Sequence, residues 1–262
     1  MPAKSLITLL TDFGTTDAFA ASMKGVILKI NPKATIVDIT HEIPPHGIHS
    51  AAFVLKSAYR YFPKGTIHVV VVDPGVGGSR KPLLVVHPMG YFIGPDNGVF
   101  SYIYKSNVKV YRLNTLRYRL KQYSPTFDGR DLFAPVAAWL SKGIAPVKLG
   151  QRVKEYMSFP IPEPRWFADN SLQGQVIHTD RFGNLITNIT PEELKPWLSS
   201  RKPPTIIIKG QTIKGLKQFY SQATPHELCA LINSDAHLEI FLIQEDAQSV
   251  LNIKNDERVI IS

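Results

Sequence analysis

The sequence predicts two unlike domains: an α/β N-terminal domain with a mostly parallel, helix-covered sheet, and a smaller antiparallel β C-terminal domain. Three observations carry that expectation. Apolar runs rich in β-branched residues alternate with 3.6-period apolar patterns through the first half, the rhythm of βαβ units. Phe159-Pro-Ile-Pro-Glu-Pro-Arg165 then places proline at every second position, which makes a stiff extended spacer. Beyond it, short strand candidates recur between turns with only brief helical insertions, the pattern of an antiparallel sheet or small barrel. The expected boundaries are an α/β domain over 1–158, a linker over 159–170 and a β domain over 171–262.

Taken in order, residues 5–10 (Ser-Leu-Ile-Thr-Leu-Leu) read as a buried strand ending at Thr11-Asp12-Phe13-Gly14. Asp17 is a good N-cap for a helix that carries Phe19, Met23, Val26, Ile27 and Ile30 on one face and stops at Asn31-Pro32. A short strand at 35–38, a second helix over about 47–61 and the run Ile67-His-Val-Val-Val-Val72 continue the alternation. Parallel sheets of this kind take ligands at the C-terminal ends of their strands, where Asp12, Asp38 and Asp73 fall. Strand-like stretches follow at 83–86 and 91–93, and another helix starts near Arg130. In the second domain, strands are expected at 174–178, 184–188, 205–209, 227–232, 237–243 and 258–261.

Composition narrows the class of protein. Of 262 residues, 44% are hydrophobic and 19% charged, a globular balance that excludes disorder as the main state. No stretch approaches 18 apolar residues, and the first residues carry no secretory pattern, so a soluble, cytoplasmic protein without membrane contact is expected. The net charge of +9 raises nucleic acid as a partner, but the basic residues are scattered and form no recognised nucleic-acid motif. The segment 111–123 interleaves aromatic and basic residues, which suits a half-exposed strand or loop; no nucleic-acid partner is expected. Cys229 lies in an apolar run with no second cysteine in the chain and reads as core.

Polar residues concentrate in three predicted turns: Thr11-Asp-Phe-Gly-Thr-Thr-Asp17, Asp73-Pro-Gly-Val-Gly-Gly-Ser-Arg80 and Thr126-Phe-Asp-Gly-Arg-Asp131. Glycines there let backbone approach a ligand, and each carboxylate can hold two hydroxyls or orient a water. Each could equally be an ordinary turn. No phosphate loop or Gly-x-Gly-x-x-Gly pattern is present, so phosphate binding is not indicated and no cofactor is expected. His41, His46 and His49 lie close in sequence beside Asp38 and Glu42 but lack a tight ligand spacing; packing and surface roles suit them better than a metal, and no metal is expected. In the second domain Asp180-Arg-Phe-Gly-Asn184, followed by Asn188, reads in isolation as a strand entry.

Together and in this order, the Thr11–Asp17, Asp73–Arg80, Phe127–Asp131 and Asp180–Asn188 motifs closely resemble the S-adenosylmethionine hydroxide adenosyltransferase family, across nearly the whole chain. That family comprises S-adenosylmethionine hydrolases related to fluorinase and chlorinase enzymes. The resemblance implies hydrolysis of S-adenosylmethionine to adenosine and L-methionine by water or hydroxide attacking C5′, with the (R)-sulfonium form favoured. It further implies a homotrimer whose substrate lies between one subunit's N-terminal domain and its neighbour's C-terminal domain. Carried over by position, Asp12 matches the carboxylate that grips the ribose hydroxyls. Phe182 and Asn184 match nucleoside contacts, Ser234 a contact to the methionine end, and Glu239 and Ala247 further substrate contacts. Asp73 and Arg80 match two members of the Asp-Arg-His set that holds the nucleophile.

Two positions depart from the family. Asp128 stands where the histidine of a Phe-His-Gly-Arg-Asp motif belongs, and Asn233-Ser-Asp-Ala236 replaces Asn-Ser-x-Gly. Displacement at C5′ of a sulfonium expels a neutral thioether, so the site must aim and desolvate a nucleophile and needs no general acid. Halide-using relatives have tyrosine where this chain has Asp73, and a second carboxylate at 128 would repel a halide. A carboxylate pair at one water site would also let one member act as a base. Two other readings stay open: a non-catalytic binder of adenosine or S-adenosylmethionine, in which Asp128 is an inactivating change, and a magnesium site built from Asp12, Asp73, Asp96 and Asp128 for phosphoester hydrolysis.

Overall fold

Strand β1 (Leu6–Thr11) is buried on both faces, and this sets the layering of the first unit. In the computed structural model, which describes residues 5–114, 116–199, 203–253 and 256–262, β1 pairs in parallel with β2 (Thr35–Thr40) and with β3 (Thr66–Val71). The connections are α1 (Phe19–Ile30) and α2 (Ile48–Ala58). Because strand side chains alternate between faces, Leu9, Val69 and Val71 pack with Met23 and Ile27 of α1, whereas Leu10, Val70 and Val72 pack with Ala51 and Leu55 of α2. Helices therefore cover both faces, which is why these strands read as continuous apolar runs. The first helix begins at Phe19 with Ala18 as its N-cap and no side-chain cap, so the expected capping role of Asp17 is not realised.

The sheet is mixed rather than mostly parallel. Its order is β2-β1-β3-β5-β4-β6-β7, with β4 (Pro82–His87), β5 (Gly90–Pro95) and β6 (Lys109–Leu113). After α3 (Ala134–Ser141) and the short α4 (Pro146–Leu149) comes β7 (Gly150–Val153). Strand β5 runs parallel to β3, but β4 is antiparallel to β5 and to β6, and β7 is antiparallel to β6. The cause is local: only Pro88 and Met89 separate β4 from β5, a connection too short for anything but an antiparallel hairpin. The reversal brings the start of β4, where Pro82 faces Pro95, to the edge at which β1 and β3 end.

The chain divides into two compact units, residues 1–160 and 161–262. Within 159–170, Arg165–Trp166 forms a two-residue strand, β8, against β9 (Leu172–Thr179). The second unit continues with β10 (Leu185–Thr187), α5 (Pro191–Leu198), β11 (Thr205–Ile208), β12 (Gln211–Lys214), β13 (Leu228–Ile232), β14 (Leu238–Leu242), α6 (Ala247–Leu251) and β15 (Arg258–Ile261). These strands form one antiparallel sheet in the order β12-β11-β15-β9-β10-β14-β13, with β8 beside β9. Past β12 the chain bridges back to β13 at Lys217 and Leu231, so the two ends of the strand order nearly close into a barrel. Its core is aliphatic, built on Leu172, Val176, Ile206, Leu238, Ile240 and Val259. Helix α5 opens with a capping box, Thr190 against Glu193, and α6 is capped by Asp246. Among the described residues no helix is long and apolar enough to cross a membrane.

Candidate active site

Asp12, Asp73 and Asp128 border one cavity of about 300 Å³ in the first unit. Asp12 follows β1, Asp73 follows β3, and Asp128 precedes a π-helical turn, Gly129–Phe133, that leads into α3. Oδ2 of Asp12 accepts the backbone amide of His46 at 2.9 Å, which fixes the carboxylate at the border of the cavity. One wall is aromatic: the rings of Phe13, Phe19 and Phe127 lie 5.4–5.8 Å apart, edge to face or tilted. The same cavity is bordered by the carboxylates of Asp73 and Asp128, so it has a charged wall as well.

That charged wall is a chain of three side chains. The Arg80 guanidinium donates from Nε to both oxygens of Asp73, at 3.1 and 2.9 Å, and from Nη2 to Oδ2 of Asp73 at 2.5 Å. The same Nη2 donates to Oδ2 of Asp128, whose Oδ1 accepts the Tyr123 hydroxyl at 2.9 Å. All three side chains are nearly buried, 12% exposed for Arg80, 4% for Asp73 and 3% for Asp128. Burial works against the Arg80 charge, but hydrogen bonds and charge from Asp73 and then Asp128 outweigh it and raise its pKa, so the guanidinium stays charged. One cation is thus shared by two carboxylates, which permits both to sit in a partly dry pocket.

Two local features hold this arrangement. Gly77 adopts φ +78°, and a Cβ there would lie 2.8 Å from the Pro125 carbonyl oxygen, so only glycine lets the 73–80 and 123–128 loops meet. Asp131, fully buried, accepts the Ser124 amide at 2.7 Å and is paired with Arg130, which orients the segment carrying Tyr123 and Asp128.

The second unit has its own cavity, about 620 Å³, bordered by Phe182, Asn184, Tyr220 and Asp246. Oδ1 of Asp180 accepts the amides of Phe182 and Asn184 at 2.9 Å each, and its Oδ2 accepts Nδ2 of Asn184 at 3.0 Å. This turn leaves Phe182 75% exposed over the cavity and packs Gly183, at φ +82°, on Asp246. Ala247 is buried as the first residue of α6. Glu239 does not border the cavity directly; it accepts the hydroxyl of Tyr220 at 2.7 Å and Nδ2 of Asn233 at 3.0 Å. Burial pushes its carboxyl above the usual range, against those two hydrogen bonds. Ser234 is exposed in the 233–237 turn, where Ala236 takes φ +59°, the left-handed conformation that suits the family's glycine.

Other candidates separate. Nδ1 of His41 lies 2.8 Å from the Thr11 hydroxyl, His46 contributes its amide to Asp12, and the His49 ring lies 4.2 Å from that of Phe159. Asp96 accepts the Met157 amide at 2.6 Å rather than joining Asp12, Asp73 and Asp128. Among the described residues no group of three or more His, Cys, Asp or Glu is placed to hold a metal ion. Tyr123, Tyr220 and the His46 amide were not legible as site groups in the sequence.

Fold and site together define a two-domain protein with an α/β half carrying an arginine-bridged carboxylate pair and an antiparallel β half carrying a phenylalanine-capped cavity. Residues 7–150 match the S-adenosylmethionine hydroxide adenosyltransferase N-terminal domain, and residues 174–260 the C-terminal domain. The chain belongs to that family. It is 37% identical over 265 residues, covering 95% of this chain and 92% of the relative, to an (R)-S-adenosyl-L-methionine hydrolase of Methanocaldococcus jannaschii. A fluorinase of Nocardia brasiliensis is 28% identical, with 73% of each chain covered. Among solved structures, a conserved protein from Thermotoga maritima superposes with a TM-score of 0.89 at 34% identity, covering 97% of this chain and 99% of that one.

Proposed function

We propose that this protein hydrolyses S-adenosylmethionine to adenosine and L-methionine, with water or hydroxide displacing the methionine thioether at C5′. The observation that carries this reading is that Asp73 and Asp128, joined through Arg80, border the cavity that also holds Asp12. Asp12, held by the His46 amide, takes the ribose hydroxyls. Asp73, Arg80 and Asp128 hold the attacking water, and Asp128 accepts its proton. The aromatic wall keeps bulk water from the C–S bond. Two carboxylates against one guanidinium repel a halide, which favours water over chloride or fluoride. The (R)-sulfonium form is the preferred substrate, a reading supported by the names of relatives at 30–37% identity.

Phe182 and Asn184 contact the nucleoside, Ser234 the methionine end, and Glu239 and Ala247 shape the surrounding pocket. These residues and the Asp12 cavity belong to different units, and the site is completed by a neighbouring subunit's C-terminal unit in a homotrimer.

Chromatography of the purified protein incubated with S-adenosylmethionine tests the reading. Adenosine and methionine are expected in equal amounts, with ¹⁸O from labelled water in the adenosine 5′-hydroxyl. 5′-Chloro-5′-deoxyadenosine as the main product in chloride would overturn it. Adenosine binding without turnover would instead favour a binder, a reading to which Asp128 in the histidine position gives specific weight.

A further inference from the structure

Asp128 borders a second cavity. About 270 Å³ in volume, it is flanked by Arg80, Asn114, Arg119 and Tyr123, and Asp128 alone among the described residues borders both this space and the one at Asp12. Asn114 is exposed and Arg119 half-buried, so the rear cavity reaches solvent. The Asp73–Arg80–Asp128 chain is therefore a partition, with the reacting centre in front and a separate wet space behind.

Hydrolysis of a sulfonium must dispose of a proton. The water oxygen forms a bond to C5′, the C5′–S bond breaks with its electron pair left on sulfur, and one proton per turnover is released. With an adenosyl group filling the front cavity, that proton needs a route that does not cross the substrate. Asp73 gives both oxygens to Arg80. Asp128 gives one oxygen to Arg80 and the other to the Tyr123 hydroxyl, which belongs to the rear cavity.

Resting on the hydrolysis reading above, we propose that Tyr123 positions Asp128 and relays the released proton from it into the rear cavity. Water gives its proton to the Asp128 carboxylate. The protonated carboxyl donates to the Tyr123 oxygen as the phenol O–H turns to donate to rear-cavity water, and the phenol is regenerated unchanged. Burial, and then the Asp128 carboxylate, hold the Tyr123 hydroxyl above its ordinary pKa range, so it remains a neutral phenol able to accept one proton while giving another. The Arg119 guanidinium, 4.4 Å from the ring centroid, fixes the ring in this place.

The test is Tyr123→Phe, which keeps the ring and the Arg80–Asp128 contact. A fall in kcat on the order of tenfold to a hundredfold is expected with KM nearly unchanged. The solvent deuterium isotope effect on kcat should grow, and small bases such as imidazole should restore turnover in the variant but not in the wild type. A kcat and isotope effect equal to wild type would overturn the relay, as would a loss that no added base repairs. Fluorotyrosine at 123 keeps the hydrogen bond and the fold while changing hydroxyl acidity; kcat should respond, and indifference again overturns the proposal. Wild-type protein that forms no adenosine defeats the hydrolysis reading and the relay together, whereas active wild type with an indifferent Tyr123→Phe defeats the relay alone.

Discussion

The amide of His46 reaches Oδ2 of Asp12 at 2.9 Å from a backbone held at φ +65°. A loop 34 residues downstream thus orients the carboxylate through its main chain. Asp12→Ala should weaken adenosine binding by roughly tenfold to a hundredfold, the range for losing a charged hydrogen-bond acceptor of about 1.5–3 kcal/mol. His46→Gly should leave binding intact and relieve the left-handed strain. Calorimetric titration with adenosine distinguishes the two, and equal losses in both variants would refute the main-chain role.

Asp128 is the second point of test. Removing it leaves Arg80 with Asp73 alone and Tyr123 without its acceptor. Asp128→Ala should lower kcat by about 10²-fold or more, the scale of a lost general base, while adenosine still binds. Asp128→His restores the family's residue and should retain turnover with a changed pH–rate profile. Turnover by Asp128→His alone, with the wild type inert, would identify Asp128 as an inactivating change.

A third expectation concerns pH and stability. His68 is 2% exposed, stacked on Phe92, and its Nδ1 lies 2.8 Å from the Thr8 hydroxyl. Burial, with a smaller contribution from His87, pushes its pKa down from 6.5 to about 4. Below pH 6.5 the unfolded chain therefore takes up a proton that the folded chain refuses. The associated stability is complete above that pH, declines as pH falls, and is fully lost below about 4. At 1.36 kcal/mol per unit of pKa displacement the whole loss is about 3 kcal/mol, with about 2 kcal/mol gone by pH 5. Urea unfolding at pH 7, 6 and 5 measures it; a flat profile would show that His68 takes up its proton as readily in the fold as in the unfolded chain.

The turn at 233–237 offers a stability test independent of catalysis. Ala236 at φ +59° bears a left-handed penalty that glycine avoids. Ala236→Gly should stabilise the protein by about 0.5–1 kcal/mol, since relief of roughly 1–2 kcal/mol is partly offset by the freer unfolded chain. A neutral or destabilising result in denaturant unfolding would indicate that the turn relaxes around alanine.

Legibility in the sequence followed periodicity. The run 67–72 and the amphipathic helix through Met23 and Ile27 were readable because burial on both faces or on one stripe leaves a periodic trace. The direction of β4 was not readable. With the strands drawn to end at Val86 and begin at Tyr91, four residues separated them; His87 and Gly90 join the ladder and shrink the turn to two. Asp12, Asp73 and Asp128 stood out as carboxylates beside glycine-rich turns. Tyr123 did not, because what aims it is the Asp131 grip on Ser124, a contact between loop atoms with no periodic signature. Arg80 was visible as a matched residue, but its bond to a partner 48 positions away depends on how two loops meet at Gly77.

The reversal of β4 also makes the loop over residues 72–81 modular. Both of its anchors, Val71 and Pro82, belong to strands whose relevant ends lie at one edge of the sheet, so no crossover helix depends on what lies between them. Outside Asp73, Gly77 and Arg80, whose places are fixed by their contacts, the segment can vary while β1, followed by Asp12, keeps its register on β2 and β3. The chain thereby carries Asp12 and the Asp73–Arg80 pair on separate pieces of backbone that end at one edge of the sheet.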